Sequence, residues 1–232
     1  MICIYINFAR KFFVMYTRTF KAALFDLDGV VFDTEPQYTV FWGNQFRRYY
    51  PEYPGMEQQI KGMTLVEIYE KYFPKKDQQD QITKELNDFE ENMKFLYVED
   101  FEKFVADIRS NEVRTAVVTS SNKEKMQNVY SKHKEFKGFF DAILTAEDFA
   151  ESKPSPDCYQ RAAARLGLTK EQCVVFEDSF NGLKSGRAAD MFVVGLSTTN
   201  AADAIMPYSD IVISNYKGIG YKEISEKVSL KE

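Results

Sequence analysis

Two aspartates, Asp26 and Asp28, stand two residues apart in FDLDGVVFDTE, residues 25–35, directly after the apolar run KAALF. Alternate side chains of extended backbone share a face, so both carboxylates can line one pocket. Two anions that close repel, and a cation with oxygen ligands relieves the repulsion, magnesium being the natural choice. One carboxylate can then attack an electrophile while the other moves a proton. The same residues also fit a polar turn after a strand or part of a calcium loop, where D-x-D-G recurs.

Three further segments carry groups suited to the same chemistry. VVTSSN, residues 117–122, places Thr119 and Ser120 between an apolar run and a helix-like stretch. A hydroxyl with free backbone N–H groups at a helix start can hold an anion, although Ser and Asn are also ordinary helix caps. In ESKPSPD, residues 151–157, Lys153 precedes two prolines that can hold it rigid, as a fixed positive charge toward a phosphoryl oxygen requires. A lone loop lysine is otherwise a surface residue. In VVFEDSFNGLKSG, residues 174–186, Glu177 and Asp178 follow an apolar strand-like run and precede a helix. Capping by Asp178 or Ser179 accounts for one acid, whereas a paired acid at the end of a buried strand calls for a compensating cation.

The elements that must position these residues are short β-branched runs, each followed by a helical pattern: KAALF (21–25), RTAVV (114–118), DAIL (141–144), CVVF (173–176), FVVGL (192–196) and DIVIS (210–214). Near-continuous apolar strands alternating with helices predict a parallel sheet covered on both faces, in a doubly wound, Rossmann-like α/β fold. All four segments then lie past the C-terminal ends of strands, the edge where open α/β sheets bind ligands.

Residues 35–105 break that rhythm. Tyr38, Phe41, Trp42, Gln45, Phe46 and Tyr49 recur at helical spacing, as do Ile82, Leu86, Phe89, Met93 and Leu96. The expectation is an all-helical cap (35–105) inserted in a core formed by residues 15–34 and 106–232. The cap carries 9 basic against 14 acidic residues while the remainder carries 21 of each, so the net charge of −5 resides wholly in the insert, as a solvated acidic face. Residues 1–14 precede the core as an extension in which Ile2, Ile4 and Ile6 alternate, an added edge strand if Met15 is not the start.

Composition excludes several classes. The single histidine, His133, argues against Ser-His-Asp catalysis and multi-histidine zinc. The charge balance offers no basic patch for nucleic acid. No apolar run reaches the ~20 residues of a membrane helix. Three cysteines without motif spacing fit a reducing, cytoplasmic setting and no disulfide framework.

Taken in order, FDLDGV…DTE, TSS, SKP and EDS resemble the four motifs of the haloacid dehalogenase-like superfamily, from Lys21 to about Leu196. The insert after the first motif resembles the cap of the subfamily containing β-phosphoglucomutase and phosphoglycolate phosphatase. The resemblance implies that Asp26 is a nucleophile forming an aspartyl-phosphate and that Asp28 is its acid and base. It implies that Thr119, the Ser120 N–H and Lys153 hold phosphoryl oxygens. Mg2+ would be bound by Asp26, the Asp28 carbonyl and Asp178, with Glu177 nearby. It further implies a small phosphorylated metabolite, sugar phosphate-like, as substrate, with cap contacts drawn from Glu35, Tyr38, Trp42, Lys61 and Thr64, and a monomer by default.

Within that family Asp28 argues against dehalogenase and phosphonatase chemistry, which depart at this position. A mutase of the β-phosphoglucomutase type is the main rival, but the places of its histidine and cap-loop arginine hold Tyr38 and Leu65 here. Outside enzymology, a receiver-like phospho-acceptor domain is about half this length and lacks a cap. A dinucleotide module needs a G-x-G-x-x-G absent after the first strand. A catalytically silent relative would have no need of the complete acid, hydroxyl and lysine set.

Overall fold

The computed structural model describes residues 20–230; the extension at 1–14, Met15 and Cys3 lie outside the described residues. Six strands form one sheet in the order β3-β2-β1-β4-β5-β6, every pair parallel. They are β1 (Ala22–Phe25), β2 (Arg114–Val118), β3 (Ala142–Leu144), β4 (Cys173–Glu177), β5 (Phe192–Leu196) and β6 (Ile211–Ile213). Each coincides with one of the apolar runs. The chain moves outward from β1 through β2 to β3, then crosses back to β4 on the other side of β1. That reversal opens a crevice above the C-terminal end of β1.

Burial on both faces is why these strands lack alternation. Along β1, Ala23 and Phe25 join one apolar cluster while Ala22 and Leu24 join the other. The first is closed by α4 (Phe101–Ser110), α5 (Lys123–Lys132) and α9 (Tyr221–Ser229); Phe25 stacks on Phe176 of β4 with centroids 4.7 Å apart. The second is closed by α6 (Asp157–Arg165) and α7 (Phe180–Ala188), through Tyr159, Ala162 and Leu183. The short α8 (Ala202–Ile205) adds Ile205.

Between β1 and α4 the described chain forms the helices α1 (Glu35–Tyr49), α2 (Leu65–Tyr72) and α3 (Lys76–Asn92) and a 3₁₀ turn, with isolated bridges at Asp28, Phe32 and Tyr97. The helices bury a separate cluster containing Phe41, Trp42, Phe46, Ile68, Phe73, Ile82 and Leu86, which forms the helical cap. The α3 pattern ends earlier than its periodicity predicts. Met93 leaves the helix to pack in the sheet cluster, and Leu96 is exposed. The chain returns to the sheet there, and Phe95, Val98 and α4 also bury against it. The outgoing and returning segments run side by side, Asp33 N–H donating to Leu96 O at 2.8 Å and Val98 N–H to Val31 O at 3.0 Å.

Candidate active site

Strand register sets the site. Phe25 lies opposite Val117 and Phe176, so Asp26, Thr119 and the Glu177–Asp178 pair emerge together at one edge of the sheet. Lys153 arrives from the segment ahead of α6, and its buried ammonium joins three strands. It donates to Asp26 Oδ1 at 2.6 Å, to Glu177 Oε1 at 2.7 Å and to the Val118 carbonyl at 2.9 Å. Although burial opposes its charge, Asp26 and Glu177 hold the Lys153 pKa well above the usual lysine range.

Carboxylate oxygens of Asp26, Glu177 and Asp178 lie within 4.8 Å of one another, all three residues converging on one point. Burial pushes the Asp26 carboxyl up to about 7 against the pull of Lys153, with Glu177 and Asp28 adding to the rise. Burial, then the charges of Glu177 and Asp26, push Asp178 well above the carboxylate range. Acids so crowded and dehydrated fit a hard divalent cation bound through oxygen. Their hydrogen bonds divide the work. Glu177 Oε1 is taken by Lys153 and by the Tyr159 hydroxyl at 2.9 Å; Oε2 accepts the Asp178 and Ser179 N–H groups and the Ser179 hydroxyl. Asp178 receives the Thr199 hydroxyl, and its carbonyl the Asn200 amide at 3.0 Å. Asp26 and Asp178 are therefore the acids disposed to bind a metal, with Glu177 behind Lys153.

Two glycines admit this crowding. At Gly29, φ is +72°, and a Cβ there would stand 2.1 Å from Asp178 Oδ2. On Gly182, a Cβ would stand 1.7 Å from Glu177 Oε1.

Asp28 faces a different set of partners. Its Oδ1 accepts the Thr34 hydroxyl at 2.7 Å, and its Oδ2 accepts the Ser121 hydroxyl at 3.1 Å and Lys125 Nζ at 2.5 Å. Burial would raise this carboxyl, but the Lys125 charge and the three donors hold it below the usual range. Thr119 is buried and its hydroxyl accepts the Ser121 N–H at 3.0 Å, while Ser120 is exposed at the turn after β2.

The expected cap residues separate. Glu35 opens α1 at the cleft; burial, then the Asp28 charge, push its carboxyl up to about 7. Tyr38 lies over Lys125, with its ring centroid 4.9 Å from Nζ, and donates to Glu90 Oε1 at 2.7 Å. The 61–62 loop docks on the core, Lys61 Nζ reaching Thr199 O at 3.3 Å and Asn181 Nδ2 reaching Gly62 O at 2.9 Å. Trp42 and Thr64 do not join them. Trp42 is buried against Phe41 and Phe73, and Thr64 caps α2 reciprocally with Glu67.

Sequence reasoning missed Lys125, Tyr159, Thr199 and Asn200. Lys125 carried no signal that separates it from a surface lysine. It lies three residues after the Asn122 cap, next to buried Met126 and one turn before buried Val129. Thr199 and Asn200 sit in a loop with no motif.

A family model described as "Haloacid dehalogenase-like hydrolase" matches residues 23–196, spanning the segments of Asp26, Thr119, Lys153 and Asp178 but not the Thr199–Asn200 loop. The fructose-1-phosphate phosphatase YqaB of Escherichia coli is 27% identical, the match covering 78% of this chain and 97% of that protein. A β-phosphoglucomutase of Bacillus subtilis is 25% identical, over 76% of this chain and 83% of that one. A solved hydrolase of family IA, variant 3, from Entamoeba histolytica superposes with a TM-score of 0.79 at 20% identity, covering 90% of this chain and 99% of that one.

Proposed function

The chain belongs to the haloacid dehalogenase-like hydrolase family, and from that premise we propose that it is a phosphatase acting on a small phosphorylated metabolite through an aspartyl-phosphate on Asp26. The observation that carries this reading is the triple contact of Lys153 with Asp26, Glu177 and the end of β2. It fixes a cation beside the Asp26 carboxylate, in a buried pocket where such a charge acts strongly.

Asp26 attacks phosphorus; its bond to the phosphoryl group forms as the bond to the leaving oxygen breaks. Asp28, ionised in the free site, takes up the proton that the phosphate monoanion brings and passes it to the leaving oxygen. It then takes one from the water whose oxygen displaces Asp26. Lys153, the Thr119 hydroxyl and the Ser120 N–H hold the peripheral oxygens. Asp26, Asp178 and the Asp28 carbonyl would hold Mg2+, which would supply further positive charge against those oxygens. The helical segment, seated through Gly62 and Lys61, excludes bulk water during attack. We place its limits at 35–92, since the chain from Met93 onward packs with the sheet.

Sugar phosphates are the preferred substrates, because the relative named above acts on fructose 1-phosphate and the cleft opening carries Glu35 and Lys61 for hydroxyl groups. Hydrolysis is favoured over mutase chemistry by the cap itself. Leu65 offers no charge to a second phosphate, and Tyr38 is engaged with Lys125 and Glu90. Among the described residues no helix is long and apolar enough to cross a membrane. The test is release of phosphate from 4-nitrophenyl phosphate and a sugar-phosphate panel with Mg2+, abolished in Asp26→Asn. Conversion of β-glucose 1-phosphate to glucose 6-phosphate without phosphate release overturns hydrolysis in favour of the mutase.

A further inference from the structure

Lys125 lies outside the four motifs, on the first turn of α5, and is only 4% exposed. A buried ammonium is tolerated only when paired, and the pairing here is specific. Its Nζ contacts Asp28 Oδ2 at 2.5 Å, with the fields of Glu90 and Asp26 adding to that of Asp28 to keep it protonated. Its other side is faced by the Tyr38 ring, and the Tyr38 hydroxyl is anchored on Glu90. Asp28 thus hangs from the core through Thr34 and Ser121, and from a lysine that two cap helices, α1 and α3, cover.

We propose that Lys125 is a positioning residue for Asp28, its ammonium aiming the carboxyl at the leaving oxygen while Tyr38 and Glu90 of the helical segment hold the lysine in place. This rests on the phosphatase reading above. When the phosphorus–oxygen bond to the leaving group breaks and the bond to Asp26 forms, the proton that Asp28 has taken from the phosphate monoanion passes to the leaving oxygen. When water displaces Asp26, a water proton returns to Asp28. Lys125 keeps its own proton in both steps and exchanges none. Because the lysine is covered by α1 and α3, Asp28 is held in line only when that segment is seated on the sheet.

A lysine that acts through Asp28 matters in proportion to the leaving group's need for a proton. Lys125→Met keeps the stem and removes the charge. The reading is kcat/KM, which reports formation of the aspartyl-phosphate, for 4-nitrophenyl phosphate and for whichever of fructose 1-phosphate, ribose 5-phosphate and glycerol 3-phosphate the wild type turns over fastest. With the sugar or glycerol phosphate the loss is about a hundredfold, the low end of what a general acid contributes. With 4-nitrophenyl phosphate, whose phenolate departs without a proton, the loss is no more than a few-fold; Asp28→Asn shows the same split. Equal losses on both substrates, or none, overturn the proposal while leaving the phosphatase reading intact. Absence of wild-type turnover, or turnover surviving Asp26→Asn, overturns both. Should Lys125→Met fail to fold by circular dichroism, Tyr38→Leu and Glu90→Gln are read by the same ratio, which must shift in the same direction or the proposal fails.

Discussion

Glu177 Oε1 accepts Lys153 Nζ at 2.7 Å, and this contact gives the two adjacent acids of the fourth motif different work. Glu177 faces back into the protein, where Tyr159 and the start of α7 complete its hydrogen bonds, while Asp178 faces the cleft beside Asp26. Both acids reach the same cluster, but protein donors take both Glu177 oxygens, so one acid can anchor the lysine while its neighbour is left for a cation.

Asp178→Asn should therefore raise the Mg2+ concentration needed for half-maximal turnover by tenfold or more, the order of loss seen when a metal site is disturbed. Glu177→Gln should leave that concentration within a few-fold of wild type and lower kcat instead, because Lys153 loses the acid that orients it. A Mg2+ titration of 4-nitrophenyl phosphate turnover separates the two. If Glu177→Gln produced the larger shift in Mg2+ requirement, the division of labour would be wrong.

The glycines offer the same distinction without touching an acid. In Gly29→Ala the new Cβ drives into Asp178 at a backbone conformation that L residues avoid, so it should reproduce the Asp178→Asn phenotype in the Mg2+ titration. In Gly182→Ala the Cβ displaces Glu177, so the defect should appear in kcat, even though alanine is the better helix former. Wild-type turnover in Gly182→Ala, with the α7 helix intact, would mean that Glu177 has room to move that the structure does not show.

Much of this was legible before the fold was known. The strand runs are nearly continuous because both faces of the sheet are covered, and apolar continuity is what a sequence displays most clearly. Asp26, Glu177 and Asp178 could be identified because each ends or directly follows a strand at one edge, and Lys153 because prolines follow it in the segment ahead of α6. Lys125 could not be assigned in the same way. An i+3 lysine after an Asn cap is an ordinary surface residue until its side chain is seen to pass beneath Tyr38, a contact between residues 87 positions apart. Trp42 and Thr64 show the reverse problem, since an aromatic and a hydroxyl near a cleft resemble ligands until the packing with Phe73 and the reciprocal cap with Glu67 account for them.

Metal removal should be visible in stability as well as in rate. Asp26 and Asp178 are crowded and buried, so a cation between them binds the folded chain and not the unfolded one. At a hundredfold excess over its dissociation constant such a ligand adds about 2.7 kcal/mol. The wild type should melt several degrees higher with Mg2+ than with EDTA, and Asp178→Asn should show little difference. An equal Mg2+ shift in both proteins would place the ion elsewhere.

The helical segment has a polar weak point of its own at Glu85. Its carboxylate accepts from Gln45 Nε2 at 2.7 Å, from Arg48 at 2.8 Å and from Gln81 at 2.6 Å. Although burial pulls upward, those donors and the Arg48 charge together lower it to about 2. A carboxyl lowered on folding contributes stability above its unfolded value, near 4.5, and that contribution is lost as the pH falls through about 2. Gln45 is buried and its carbonyl oxygen is unpartnered, so Glu85→Ala strands both ends of one amide within the α1–α3 interface. An orphaned buried amide costs about 1–3 kcal/mol, more than an exposed ion pair of the Arg48 kind supplies. Urea midpoints at neutral pH should therefore fall in Glu85→Ala by more than in Arg48→Met. The gap between wild type and Glu85→Ala should narrow as the pH is lowered toward 2, because protonation removes the charged acceptor from the wild type as well. A gap that widened on acidification would reverse the sign of this linkage and remove Glu85 as the group that ties α1 to α3.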